Sequence, residues 1–175
     1  MAWQRIKVKV STLLNPDLRK RLGEEIVDII KARTEKGLDK NNDKFPPYSI
    51  AYINSREFKA AGKRRNKVNL ILTNEMMDSL KVLGHSLGSI TIGFDKNDEE
   101  VNAKAEGNIL GSYSGQPNKG KARDFLGIKK EEFSKIENRL IKDRARQIAI
   151  ARARKQIIEE VAKKIKVVRE GDEES

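Results

Sequence analysis

The sequence predicts an α+β chain: a small antiparallel β-sheet packed by helices, with a long C-terminal α-helix. Three observations carry this. Apolar residues alternate with polar ones at 6–10 and again at 90–94, apolar residues recur at helical spacing from 18 to 30, and the stretch from Lys130 to Val168 contains neither Pro nor Gly. A period of two marks a strand with one buried face, and a period near 3.6 marks an amphipathic helix.

In QRIKVKV (residues 4–10), Ile6, Val8 and Val10 alternate with Lys7 and Lys9, the pattern of a half-buried strand. Asn15-Pro16-Asp17 is a helix start: an Asx cap, Pro at the first helical position and an acid in the first turn. Leu18, Leu22, Ile26, Ile29 and Ile30 form its apolar face, with Arg19, Lys20, Arg21, Glu24, Glu25 and Asp28 mostly elsewhere. Lys36-Gly37 supplies a basic last turn and a left-handed stop, so the helix is expected over about 16–36.

Residues 37–48 (GLDKNNDKFPPY) are a loop by their breaker residues. DKNND lacks the Gly and Glu at the offsets of an EF-hand and reads as a solvated turn. Phe45, Pro46, Pro47 and Tyr48 are expected to anchor on the core, with Ser49 capping a short helix to about Ala61. Tyr52, Ile53 and Phe58 are its buried side. Lys63, Arg64, Arg65 and Lys67 then form the densest basic patch, on a loop facing water or a phosphate.

Val68–Thr73 reads as a strand running into a cap at Asn74, followed by a short helix in which Met76, Met77 and Leu80 are core. Around 81–87 and 89–94 two apolar stretches flank Gly88, a predicted β-hairpin. His85 falls in its first arm, as a surface or hydrogen-bonded residue. Residues 95–124 are polar and Gly-rich and are expected to be a mobile loop, with a possible short helix over Glu99–Glu106. Gly115-Gln-Pro-Asn-Lys-Gly120-Lys121 continues with Ala122, so it lacks the hydroxyl of a phosphate-binding loop.

From Lys130 to Val168, Phe133, Ile136, Leu140, Ile141, Ile148, Ile157, Ile158, Val161, Ala162 and Ile165 keep a helical rhythm, thinned to Ala and Ile in the middle. Such a helix overshoots a domain of this size, so its distal half is expected to pack on another subunit, or to break and fold back. Lys129 through Arg169 holds fourteen basic and six acidic residues. The expected organisation is a core domain at 1–128, a basic helix at 129–169 and a disordered acidic tail at 170–175.

Composition narrows the function classes. The 175 residues carry a net charge of +11, are 36% charged and include no Cys and one His. Missing Cys excludes disulfide scaffolds, Cys-based zinc or iron–sulfur sites and thiol nucleophiles, and the single His weighs against histidine metal sites and a Ser-His-Asp triad. No cofactor and no metal is expected. No run approaches the roughly 18–20 apolar residues of a membrane span, and the N-terminus lacks the apolar run of a signal peptide. The expectation is a soluble protein without catalytic equipment. Scattered carboxylates such as Glu99, Glu100 and Glu106 carry no nuclease spacing.

Three segments taken together resemble the phage virion morphogenesis family, which includes tail-completion and head–tail joining proteins. They are Phe45–Ser49 with Tyr52 and Lys59; Leu70–Leu80 (LILTNEMMDSL) leading to Ile90–Phe94; and Ala122–Ile128 (ARDFLGI) before an acidic helix start. The match spans roughly residues 15–140. Asn74 stands where that family usually has Gly, and no His-Gln-x-Gly-like segment precedes Pro117.

The resemblance implies a non-enzymatic virion component of the neck or tail top, assembled in the host bacterial cytoplasm. Its partners would be copies of itself in a ring, sixfold by the same resemblance, and portal, adaptor and tail proteins. The structural motif residues are Phe45, Pro47, Tyr48, Leu70, Leu72, Thr73, Arg123, Phe125, Leu126 and Gly127. Leu70, Leu72 and the Thr73/Asn74 cap are expected to set a strand-to-helix corner, and Arg123 to anchor the end of the loop. Candidate contacts to a protein partner or to DNA in a channel are Lys63, Arg64, Arg65, Lys67, Lys119 and Lys121. The alternative function is a nucleic-acid-binding protein that uses the basic C-terminal helix.

Overall fold

A computed structural model describes residues 3–70, 75–112 and 118–172, with side chains to 162. The fold is α+β. The elements are β1 (Arg5–Lys9), α1 (Pro16–Glu35), α2 (Ile50–Asn54), α3 (Arg56–Ala60), α4 (Glu75–Asp78), β2 (Lys81–Ser86), β3 (Ser89–Gly93), α5 (Glu99–Leu110) and α6 (Lys130–Asp172), with a 3₁₀ turn at Lys119–Lys121. The chain divides into two units, Met1–Glu137 and Asn138–Ser175.

In the first unit three strands form an antiparallel sheet in the order β1-β3-β2. Val8 pairs with Ile90 and Ile6 with Ile92, and Val82 lies across from Ile92 on the other side. Partners directly opposite share a face, so Ile6, Val8, Val82, Ile90 and Ile92 line one side. The predicted hairpin is present, with an extra residue bulged between Val82 and Gly84. α1 packs on β2 and β3, and Gly23 leaves room for that approach: a Cβ there would stand 2.7 Å from Val82 Cγ2.

α1 matches its expected bounds to within a residue, and the Asn15 side chain accepts the Leu18 N–H at 2.9 Å. Its buried stripe is Arg19, Leu22, Ile26, Ile30 and Arg33. Arg19 was expected off the apolar face, but it is buried, and its guanidinium donates to the Leu87 carbonyl in the hairpin turn at 2.8 Å. Phe94 and Phe125, both fully buried, meet edge to face with centroids 6.4 Å apart. The Asn102 side chain joins β1 to α5: it accepts the Gln4 N–H at 3.0 Å and donates to the Asp95 and Asp98 carbonyls.

Four expectations change. The single helix over 49–61 is two turns, α2 and α3, separated at Ser55. Ser55 has an extended backbone, and its hydroxyl caps α3 by accepting the Phe58 N–H. Val68–Leu70 do not join the sheet, because both main-chain groups of Asn69 bond to the Tyr48 hydroxyl. The rest of that predicted strand and its cap, including Leu72 and Thr73, lies outside the described residues. Within the expected loop 95–124, α5 continues four residues past Glu106, since the left-handed residue that ends it is Gly111 (φ 66°). Residues 113–117 of that loop lie outside the described residues. α6 runs through Gly171 to Asp172, within the segment expected to be a tail; one glycine costs a helix only about 1 kcal/mol.

In the second unit α6 is a lone helix whose residues 145–162 are all exposed. Among the described residues no helix is long and apolar enough to cross a membrane.

Gly37 combines two constraints. Its φ is +78°, and a Cβ there would stand 2.3 Å from the Val68 carbonyl oxygen. Gly62, at φ +61°, has open space around it. Gly37→Ala is therefore expected to cost about 2–4 kcal/mol and Gly62→Ala about 1 kcal/mol, as measured by denaturant unfolding. Equal losses at the two positions would contradict this packing.

Candidate functional site

Two of the three segments that carried the resemblance meet in space. Tyr48 and Phe45 are buried, and Arg123 lies over Tyr48 with its guanidinium 5.3 Å from the ring centroid. Arg123 donates to the Pro46 and Pro47 carbonyls at 3.4 and 3.3 Å, and its own amide donates to the Asn108 carbonyl at 2.7 Å. The expected anchoring role of Arg123 therefore has a specific form: it ties the end of the Gly-rich segment to the Phe45–Tyr48 loop and to α5. Phe125 and Leu126 beside it are buried, whereas Pro47 is exposed and Leu70 and Gly127 are half-buried.

Tyr48 organises a second layer. Its ring packs on Tyr52 at 5.3 Å and Phe58 at 5.5 Å, centroid to centroid. Its hydroxyl donates to the Asn69 carbonyl at 2.5 Å and accepts the Asn69 N–H at 3.1 Å. Lys63 closes the cluster, with Nζ 2.9 Å from the Tyr48 hydroxyl and 3.3 Å from the Asn69 carbonyl. Burial pushes the Tyr48 hydroxyl above its ordinary pKa and the Lys63 ammonium below its own.

Lys63 is thus a half-buried ammonium committed to its own fold. The neighbours grouped with it in the sequence behave differently: Arg64, Arg65 and Lys67 are exposed, as are Lys119 and Lys121 on their 3₁₀ turn. Those five remain available to an anionic partner.

Arg33 is the residue that sequence reasoning missed. It is 5% exposed and donates to the carbonyls of Phe125 at 3.0 Å, Gly127 at 2.6 Å and Lys40 at 3.4 Å. Its guanidinium also stands 3.6 Å from the Glu132 carboxylate, and burial pulls its pKa down against the attraction of Glu132, Asp39 and Asp124. Glu132 in turn accepts the Lys129 N–H, the reach-back half of a capping box at the start of α6. One turn and a half later, Glu137 accepts the Ser11 N–H at 2.6 Å. A signal for Arg33 existed: 19, 22, 26, 30 and 33 form one helical stripe, so both arginines stand at ends of the apolar face.

The arrangement is chemistry of attachment. Among the described residues no group of three His, Cys, Asp or Glu side chains is placed to hold a metal ion. No protein-family model matches the chain, and no curated protein and no solved structure matches it.

Two outcomes test the cluster. Arg33→Met leaves the Phe125 and Gly127 carbonyls without their donor and Glu132 without its partner, at an expected cost of about 2–4 kcal/mol in denaturant unfolding. For Lys63, the unfolded chain holds the proton more tightly than the folded one. The wild type should therefore gain stability relative to Lys63→Met as pH rises from the lowered folded pKa to the ordinary value near 10.5. A flat difference across alkaline pH would remove the buried ammonium from the account.

Proposed function

We propose that the chain is a structural subunit of a phage virion, a tail-completion or head–tail connector protein of the neck or tail top. Its copies close into a ring that joins the portal or adaptor to the tail, and its role is assembly rather than catalysis. One observation carries most of the weight: over residues 145–162 α6 presents only exposed side chains, among them Ile157 at 60% and Ile158 at 68%. With Ile150, Ala151 and Val161 these fall on one side of the helix, interrupted there by Gln147 and Arg154, and this much exposed aliphatic surface on a single chain calls for a protein cover.

Charge supports a second copy as that cover. Residues 144–158 carry Arg144, Arg146, Arg152, Arg154 and Lys155 and no acid. Like helices would repel each other face to face. α1, by contrast, exposes Glu24, Asp28 and Glu35 on one side, which stays net negative although Lys20, 3.9 Å from Glu24, and Lys31 share it. A basic helix of one copy on the acidic side of the next is a head-to-tail contact, the kind that closes rings. The resemblance adds the sixfold order, the neck location and the portal, adaptor and tail partners, with assembly in the host cytoplasm.

The second reading is a nucleic-acid-binding protein that uses α6, favoured by the same acid-free run at 144–158. Mass photometry of the full chain across a salt series separates the two. The ring reading expects closed oligomers without DNA that fall apart as salt rises, and loss of them in Ile150→Glu/Ile158→Glu with helix content unchanged by circular dichroism. A chain that stays monomeric in every condition and binds DNA through α6 overturns the ring and leaves the second reading.

A further inference from the structure

The sheet has a second face. Register places Arg5, Gly93 and Lys81 in one row, Lys7, Thr91 and Gly84 in the next, and Lys9, Ser89 and Ser86 in the third. These rows alternate with the apolar rows that include Val82 and Ile90, the two side chains closest to Gly23 of α1, so they point away from that helix. Arg5, Lys7, Lys9 and Lys81 are all exposed. The face therefore carries four cations, two glycines, three hydroxyls and no carboxylate of its own.

The spacing is regular. Arg5, Lys7 and Lys9 follow each other every second residue, about 6.6 Å apart along the strand. β1 and β3 are held by an antiparallel ladder, so these cations stand on a rigid element rather than on a loop tip. Arg5 is further fixed by stacking on the Trp3 ring at 3.8 Å, and Trp3 is itself pinned by donation from Nε1 to the Phe94 carbonyl at 2.7 Å. Lys81 has an acid at the sheet's end, Asp95, at 3.3 Å. Ser89 and Ser86 share a hydrogen bond at 2.8 Å between the strands.

We propose that this face is a seat for the phosphate backbone of nucleic acid, with Arg5, Lys7, Lys9 and Lys81 as the phosphate contacts and Thr91 as a hydroxyl donor between them. Cations spaced along one strand with the Thr91 hydroxyl beside them, and a single carboxylate, Asp95, at the sheet's end against Lys81, fit a polyphosphate chain, and they contain nothing that reads a base edge. The binding is therefore sequence-independent and strongly salt-dependent. The seat is independent of ring closure and lies on a different element from α6, so the two sources of affinity are separable.

The test uses the full chain and a fluorescent DNA duplex of mixed sequence, titrated by anisotropy at several salt concentrations. Four phosphate contacts predict about a hundredfold loss of affinity between about 50 and 200 mM salt. Lys7→Glu/Lys9→Glu is expected to weaken binding at least tenfold at the low-salt end and to lower the magnitude of the salt slope by about two. Lys7→Gln/Lys9→Gln gives the same slope change and carries the test should the reversed pair fail to fold.

Arg152→Glu/Arg154→Glu on α6 is the control. Affinity unchanged by the β1 variants, or absent altogether in the wild type, overturns the seat. So does competition by polyglutamate as effective as DNA at equal charge concentration. Oligomer masses from the same samples report on the ring separately.

Discussion

Buried arginines bonded to backbone carbonyls are the constraint on which the rest of the first unit depends. Arg19 holds the hairpin turn, Arg33 holds the Phe125–Gly127 segment, and Arg123 holds the Phe45–Tyr48 loop. A guanidinium offers five donors in a planar fork and stays charged when dehydrated, so one side chain can satisfy several carbonyls of an irregular segment. Loops that lack a ladder need such partners, since a buried carbonyl without one is costly.

Arg33 matters most because its bonds converge. It reaches the ARDFLGI segment, the turn after α1 and, through Glu132, the first turn of α6. The origin of α6 is consequently a fixed point of the body, supported again by Glu137 and Ser11.

The excess positive charge divides into populations with different work. Arg19, Arg33 and Arg123 are consumed by the interior, and Lys63 is half-buried against Tyr48. The cations of β1 and of 144–158 are displayed on regular elements. A net charge of +11 reports only the sum of these. Treating the Lys63–Lys67 run as one patch overlooked that aromatic rings at 48 and 52 provide a surface over which a lysine ammonium rests.

Local chemistry alone determined α1, the hairpin, the burial of Met76, Met77 and Leu80, and the continuous α6, because caps, breakers and periodicity act within a few residues. The break at Ser55 is also local, a hydroxyl capping the Phe58 N–H three residues on, whereas only the tertiary structure decided what 68–70 become, since both main-chain groups of Asn69 meet the Tyr48 hydroxyl from far back along the chain. It alone selected which arginines go inside. The reason is that a guanidinium on an apolar stripe is tolerable only when carbonyls from distant segments arrive to meet it, and those distances do not exist until the chain has folded.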